Sequence, residues 1–230
     1  MKAAVQSLLG ALAIAAILGT TAKAGPLEDG IDAYREKAYA KAAELWGPLA
    51  EAGNAPAQYL LGSLYVEGNG VEQDDGTAFM WFQRAANQGD AAAQYNVGAS
   101  YAGGRGVQKS YVDAAKWFRR AADQGVVFAQ LNLGLLYAAG NGVPQDNVEA
   151  LKWLELAFFA LPASGARSDV ARAMTDVTAK MTREQIGEAQ QRQRAWKAEP
   201  EVKYQTRGSR LQRRQFQGER VHEYLYLECL

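Results

Sequence analysis

Apolar residues in the middle of the chain recur at helical spacing rather than in the alternation of a strand. Over residues 91–103, Gln94, Val97, Gly98 and Tyr101 stand at i, i+3, i+4 and i+7, on one helical face. A glycine turn, Gly104-Arg105-Gly106-Val107, follows. A second stripe then runs through Ala114, Trp117, Phe118, Ala121 and Ala122, again at helical spacing. Ser110 and Asp113 have capping-box spacing where this helix opens, and Gly125 stands where it ends. The pattern predicts two helices joined by a turn.

That unit recurs every 36 residues, over 55–90, 91–126 and 127–162. Gln58, Gln94 and Gln130 are in phase, as are Gly62, Gly98 and Gly134, and Tyr65, Tyr101 and Tyr137. So are the two turn glycines, the valine after them, and Trp81, Trp117 and Trp153. Units one and two are identical at 17 of 36 positions, which rules out a chance register. A mid-helix glycine costs about 1 kcal/mol in helix propensity. Its recurrence at Gly62, Gly98 and Gly134 predicts that another helix comes close there. The second helices open at Asp74, Ser110 and Asp146, and Asp146 with Glu149 repeats the capping-box spacing.

Gln58-Tyr59-Leu60-Leu61-Gly62, Gly68-Asn69-Gly70-Val71 and Trp81-Phe82-Gln83-Arg84-Ala85-Ala86-Asn87-Gln88-Gly89, with their counterparts in the next two units, resemble the Sel-one-like repeat family, although unit three has Ala160-Leu161 in place of the Gln-Gly exit. Its members are relatives of the tetratricopeptide repeat, and the resemblance is to the exported bacterial type. It implies an all-α, right-handed α-solenoid of antiparallel helix pairs, about five of them once the ends are covered. It also implies adaptor, assembly or regulatory work, often at the cell envelope.

The flanks read as degenerate caps. Residues 25–54 give a helix pair whose second member carries Trp46, Leu49 and Ala50. Residues 163–198 give another. Val170, Met174, Val177 and Met181 line its first helix, and Thr182 with Gln185 caps the second, which carries Ile186, Ala189 and Trp196. All five tryptophans are thereby expected on second-type helices, as core. The repeated tyrosines are expected in the core as well.

The two ends differ from this array. Residues 1–24 have a short positive start at Lys2, an apolar run from Ala3 to Leu18, and small residues at Ala22 and Ala24. This is the pattern of a cleaved signal peptide, with the cut expected after Ala24 and a periplasmic or secreted destination. The tail, 199–230, holds Lys203, Arg207, Arg210, Arg213 and Arg214 in a stretch without acids, then turns apolar and aromatic. Two readings stand for it: contact with an anionic lipid, polysaccharide or acidic partner, or a solvated tail.

Composition and charge narrow the chemistry. The 25 Lys plus Arg and 25 Asp plus Glu cancel, which argues against a dedicated nucleic-acid binder. Residues 25–198 taken alone carry a formal charge of −3. The single His222 and the single Cys229 both lie in the tail, so the repeats hold no His-based triad, thiolate cluster or disulfide. No nucleophile elbow, Walker loop or His-Glu-x-x-His motif is present. No cofactor and no metal is expected. Glu72, Asp74 and Asp75 match no complete cation loop, and Asp74 or Asp75 serves better as a helix cap.

Binding therefore remains as the leading function, with another protein or peptide as partner. In related solenoids the first helices line a concave groove. That register would put Tyr59, Ser63 and Val66 in the groove in unit one, Tyr95, Ala99 and Ala102 in unit two, and Phe128, Leu131, Leu135 and Ala138 in unit three. Such a strip is a partner surface if exposed, and core if the stack curls tightly. Two alternatives stay open. One is an envelope hydrolase acting on β-lactam or cell wall, although the family members linked to penicillin have paired cysteines that this chain lacks. The other is a carbohydrate-binding or exopolysaccharide-regulating component.

Overall fold

The structure, a computed structural model, describes residues 25–163 and 165–198. Those residues form ten helices and no strand. They are α1 (Pro26–Arg35), α2 (Tyr39–Glu51), α3 (Ala55–Glu67), α4 (Asp75–Asn87), α5 (Ala91–Gly103), α6 (Tyr111–Asp123), α7 (Val127–Ala139), α8 (Asn147–Ala160), α9 (Gly165–Thr178) and α10 (Arg183–Ala195). Helices α1 to α8 pack pairwise, each also against the next pair, as an α-solenoid. The expected signal peptide and the basic tail lie outside the described residues.

Helix starts follow local chemistry. Asn54, Asp74, Asp90, Ser110, Asp146 and Thr182 each accept a backbone N–H of the first turn. Thr182 and Gln185 make a complete capping box. Asp146 caps α8 alone, because the Glu149 side chain turns away to other partners. The expected Asp146–Glu149 box is therefore not formed.

Two glycine positions per unit set how helices meet. A Cβ on Gly98 would lie 2.7 Å from the Phe118 ring, so α5 and α6 approach as closely as they do only because the side chain is missing. Gly62 against Phe82 and Gly134 against Leu154 repeat this. The second turn glycine joins successive units. Gly106 has φ +66°, and a Cβ there would fall 2.0 Å from the Asp75 carbonyl oxygen. Gly70 sits likewise on Tyr39–Ala40, and Gly142 on Tyr111–Val112. Each turn is thus seated on the start of the second helix of the preceding pair.

A glutamine ladder crosses the same joints. Gln58, Gln94 and Gln130 donate from Nε2 to the carbonyls of Ala50, Ala86 and Ala122 in the helix before. Gln88 and Gln124 donate in turn to Oε1 of Gln58 and Gln94, at 2.8 and 2.7 Å. Unit three has Ala160 where this second glutamine would stand, and the ladder stops there.

The last two helices depart from the expected pair. Both α9 and α10 pack chiefly on α8 rather than on each other. Val170 and Val177 of α9 and Ala189 of α10 join the cluster formed by Leu151, Leu154 and Ala157 of α8. Trp196 lies just past α10 in extended backbone, not on the helix. Its ring meets Trp153 edge-on at 6.2 Å between centroids. Trp46 and Trp153 are fully buried, as expected, whereas Trp117 is half-buried under the Arg120 guanidinium. The repeated tyrosines are also half-buried and bridge units: Tyr101 meets Phe79 edge-on, and Tyr137 accepts a hydrogen bond from Arg119.

Candidate partner-binding surface

The strip expected to line the groove divides in two. Tyr59, Ser63, Tyr95, Ala99 and Leu131 are buried, Tyr95 to 1% exposure. Tyr59 packs on Phe82 and Tyr95 on Phe118, each inside its own helix pair. Ser63 donates to the Tyr59 carbonyl. These five residues are core, because the close α3–α4, α5–α6 and α7–α8 contacts carry this part of the strip inward. Phe128 and Leu135 of α7 stay half-buried. Val66 of α3, Ala102 of α5 and Ala138 of α7 are half-buried as well, so each unit brings part of the strip toward the surface and unit three brings the most of it.

Apolar surface continues from there onto α8 and α9. Phe158 is half-buried, and Phe159, meeting it edge-on, is 65% exposed. Units one and two have Ala-Asn and Ala-Asp at these two positions. A shallow groove of about 430 Å³ lies beside them, lined by Phe158, Ala163, Arg167, Ser168 and Ala171. The Arg167 guanidinium lies over the Phe158 ring at 4.3 Å. The sequence signal for this groove was the replacement of the Gln-Gly exit by Ala160-Leu161, together with two adjacent phenylalanines, which marks a break in the unit rather than its decay.

A second concavity lies between α3, α4 and α5, lined by Val66, Phe82, Asn96 and Ser100 among others. It measures about 20 Å³, room for a single water and too little for a substrate.

Charge is organised on the far side of α8. Glu149 accepts from Arg192 at 2.6 Å and from the Trp153 indole at 3.1 Å, with Lys152 at 3.4 Å and Arg119 at 3.8 Å. Burial pushes this carboxyl up, but the Arg192 bond and the Lys152 and Arg119 charges outweigh it, and its pKa lies below the ordinary glutamate value. Arg119 also stacks on Trp153 and Tyr137. The group ties α6, α8 and α10 together. Its four ionic members are paired with one another, so its chemistry is that of a clasp.

Asp74 is held below the ordinary carboxylate range by hydrogen bonds from the Thr77 side chain and the Thr77 and Gly76 backbone, as befits a cap. No group of three metal-ligating side chains occurs among the described residues, and no helix there is long and apolar enough to cross a membrane. Lys203, Arg207, Arg210, Arg213 and Arg214 lie outside the described residues, so the expected anionic contact has no geometry to report.

Ten helices without a strand among the described residues, stacked through three in-phase units, define the class as an α-solenoid. A family model described as Sel1 repeat matches residues 55–90, 91–126 and 127–158, so the chain carries three Sel1 repeats. A Sel1 repeat protein from Oxalobacter formigenes is 36% identical over 68% of this chain and 59% of its own, with a TM-score of 0.58. The protein c5321, a protective antigen present in uropathogenic Escherichia coli strains and displaying an SLR fold, is 27% identical over 77% of this chain and 49% of its own, with a TM-score of 0.50. The chain thus spans between about half and three fifths of these two structures. No curated protein matches it. Sel1-type repeats generally mediate protein–protein interaction, and proteins built on them are generally scaffolds rather than enzymes.

Proposed function

We propose that this protein is an exported, non-enzymatic scaffold of the cell envelope that binds another protein along the unit-three face. The observation that supports this is Phe159, the most exposed large apolar side chain among the described residues, with the half-buried Phe158 against it and the half-buried Leu135 on the same hydrophobic cluster as Phe158. An apolar surface continuous with the core and adjoining a concave groove suits a partner side chain or helix. Export rests on the signal-like pattern of residues 1–24.

Crosslinking in intact cells with a photoreactive residue at position 135 or 159, followed by mass spectrometry, tests the surface. A discrete crosslinked protein is expected, and it should disappear with Leu135→Glu or Phe159→Asp while the chain still melts cooperatively. Crosslinks that survive both substitutions place the partner elsewhere. Recovery of the intact chain, with Met1 retained, from the cytoplasmic fraction would remove the export reading. A mature chain beginning at Gly25 is the expected result.

A further inference from the structure

We infer that the α8–α9 groove takes a peptide segment bearing a carboxylate next to an aromatic or branched aliphatic side chain. This inference rests on the scaffold reading and names the partner's chemistry at the same face. Phe158, Ala163 and Ala171 give the groove apolar walls, and its volume of about 430 Å³ suits one or two side chains. Small residues at 163 and 171 leave the room, and Phe158 supplies an aromatic wall.

Arg167 gives the groove its sign. Its guanidinium stacks on Phe158 and makes no ion pair among the described residues. A stacked guanidinium keeps its edge N–H donors free, in a fork that matches a carboxylate. The other charges of this region are already matched. Arg172 pairs with Asp169 at 3.4 Å, and Arg192 with Glu149 and Glu188. Glu155 is buried and receives a hydrogen bond from Gln190. The groove therefore offers one positive charge against apolar walls, with the Ser168 hydroxyl beside it.

Other occupants fit less well. A second copy meeting this patch about a two-fold axis would bring another Arg167 and no unmatched carboxylate. An anionic membrane would need a broad basic surface, whereas residues 25–198 carry a net −3.

The test measures fluorescence anisotropy of the full chain with a labelled, amidated peptide of sequence Gly-Glu-Phe-Asp-Leu-Gly. A control peptide has Gln and Asn in place of Glu and Asp. Saturable binding of the acidic peptide is expected, weaker by about tenfold or more for the control. Arg167→Glu and Ala171→Glu should each lose a similar factor, with circular dichroism and melting unchanged. Arg167→Lys should recover only part of the affinity, since an ammonium lacks the fork.

Equal binding of the two peptides, no effect of Arg167→Glu, or no saturable binding overturns the inference. So does a dimer, seen by sedimentation, that Phe159→Asp abolishes. If the crosslinks at positions 135 and 159 persist while the peptide fails, the scaffold reading stands and only the chemistry assigned to its partner falls.

Discussion

Gly106 and Gly187 show how differently one residue type acts in this protein. A Cβ at Gly106 would meet the Asp75 carbonyl at 2.0 Å in left-handed backbone, so neither the turn nor the helix start beneath it can accept one. Gly187 lies exposed inside α10 with open space where its Cβ would go. Gly106→Ala should therefore destabilise by roughly 2 kcal/mol or more. Gly187→Ala should stabilise by about 1 kcal/mol, the ordinary helix-propensity gain. Urea unfolding of the two variants beside the parent checks both signs. At this scale the mid-helix glycines were legible from recurrence alone, since three costly residues in phase imply a close neighbour. The repeated tyrosines were not. Their helical spacing is that of core residues, yet the hydroxyl end of Tyr137 reaches Arg119 of the preceding unit, and spacing carries no information about a partner outside the helix.

Among elements, α10 is attached by means that differ from the rest. It has one buried residue, Ala189, and the Glu149–Arg192 bond holds it to α8. Glu149 has a lowered folded pKa, so its stabilising effect is present above the unfolded value and is lost as pH falls through the folded one. Acid should loosen α10 before it unfolds the repeats. Glu155 runs the other way, its pKa raised chiefly by burial, so its ionisation weakens the same region as pH rises. The comparison that isolates Glu149 is Glu149→Gln. At neutral pH this variant should lose roughly 1–2 kcal/mol, kept modest by the exposure of Arg192, and the difference from the parent should vanish toward low pH. Amide hydrogen exchange in α10 at neutral and acid pH reads the effect locally. The caps at Asp74, Ser110 and Thr182 could be read from spacing because they are local. Glu149 looked like another cap, but its partner lies 43 residues further on, where only the folded chain brings it near.

For the whole molecule, the fold was legible because a 36-residue period leaves few ways to bury three identical helix faces. The binding face was less so. Periodicity fixes which residues point toward the axis of the stack, but not how tightly the stack winds. The winding decides whether Tyr95 is surface or core. Phe159, the most exposed aromatic among the described residues, lies where the period fails, which a search for recurring positions passes over.

The seating of each turn on the preceding pair has a further consequence. Gly70, Gly106 and Gly142 make the same joint on three different helix starts, so a joint depends on its two neighbours and on nothing beyond them. A copy of residues 91–126 inserted after Val126 would find a seat for its own turn on α6 and offer the next turn an equivalent one. Such a chain should fold cooperatively, with a melting temperature no lower than the parent's. It should hold the N-terminal cap one unit farther from the α8–α9 groove. The protein is in this sense a ruler, graduated in helix pairs, on which the distance between two bound surfaces can change by duplication while every contact that holds the stack together stays the same.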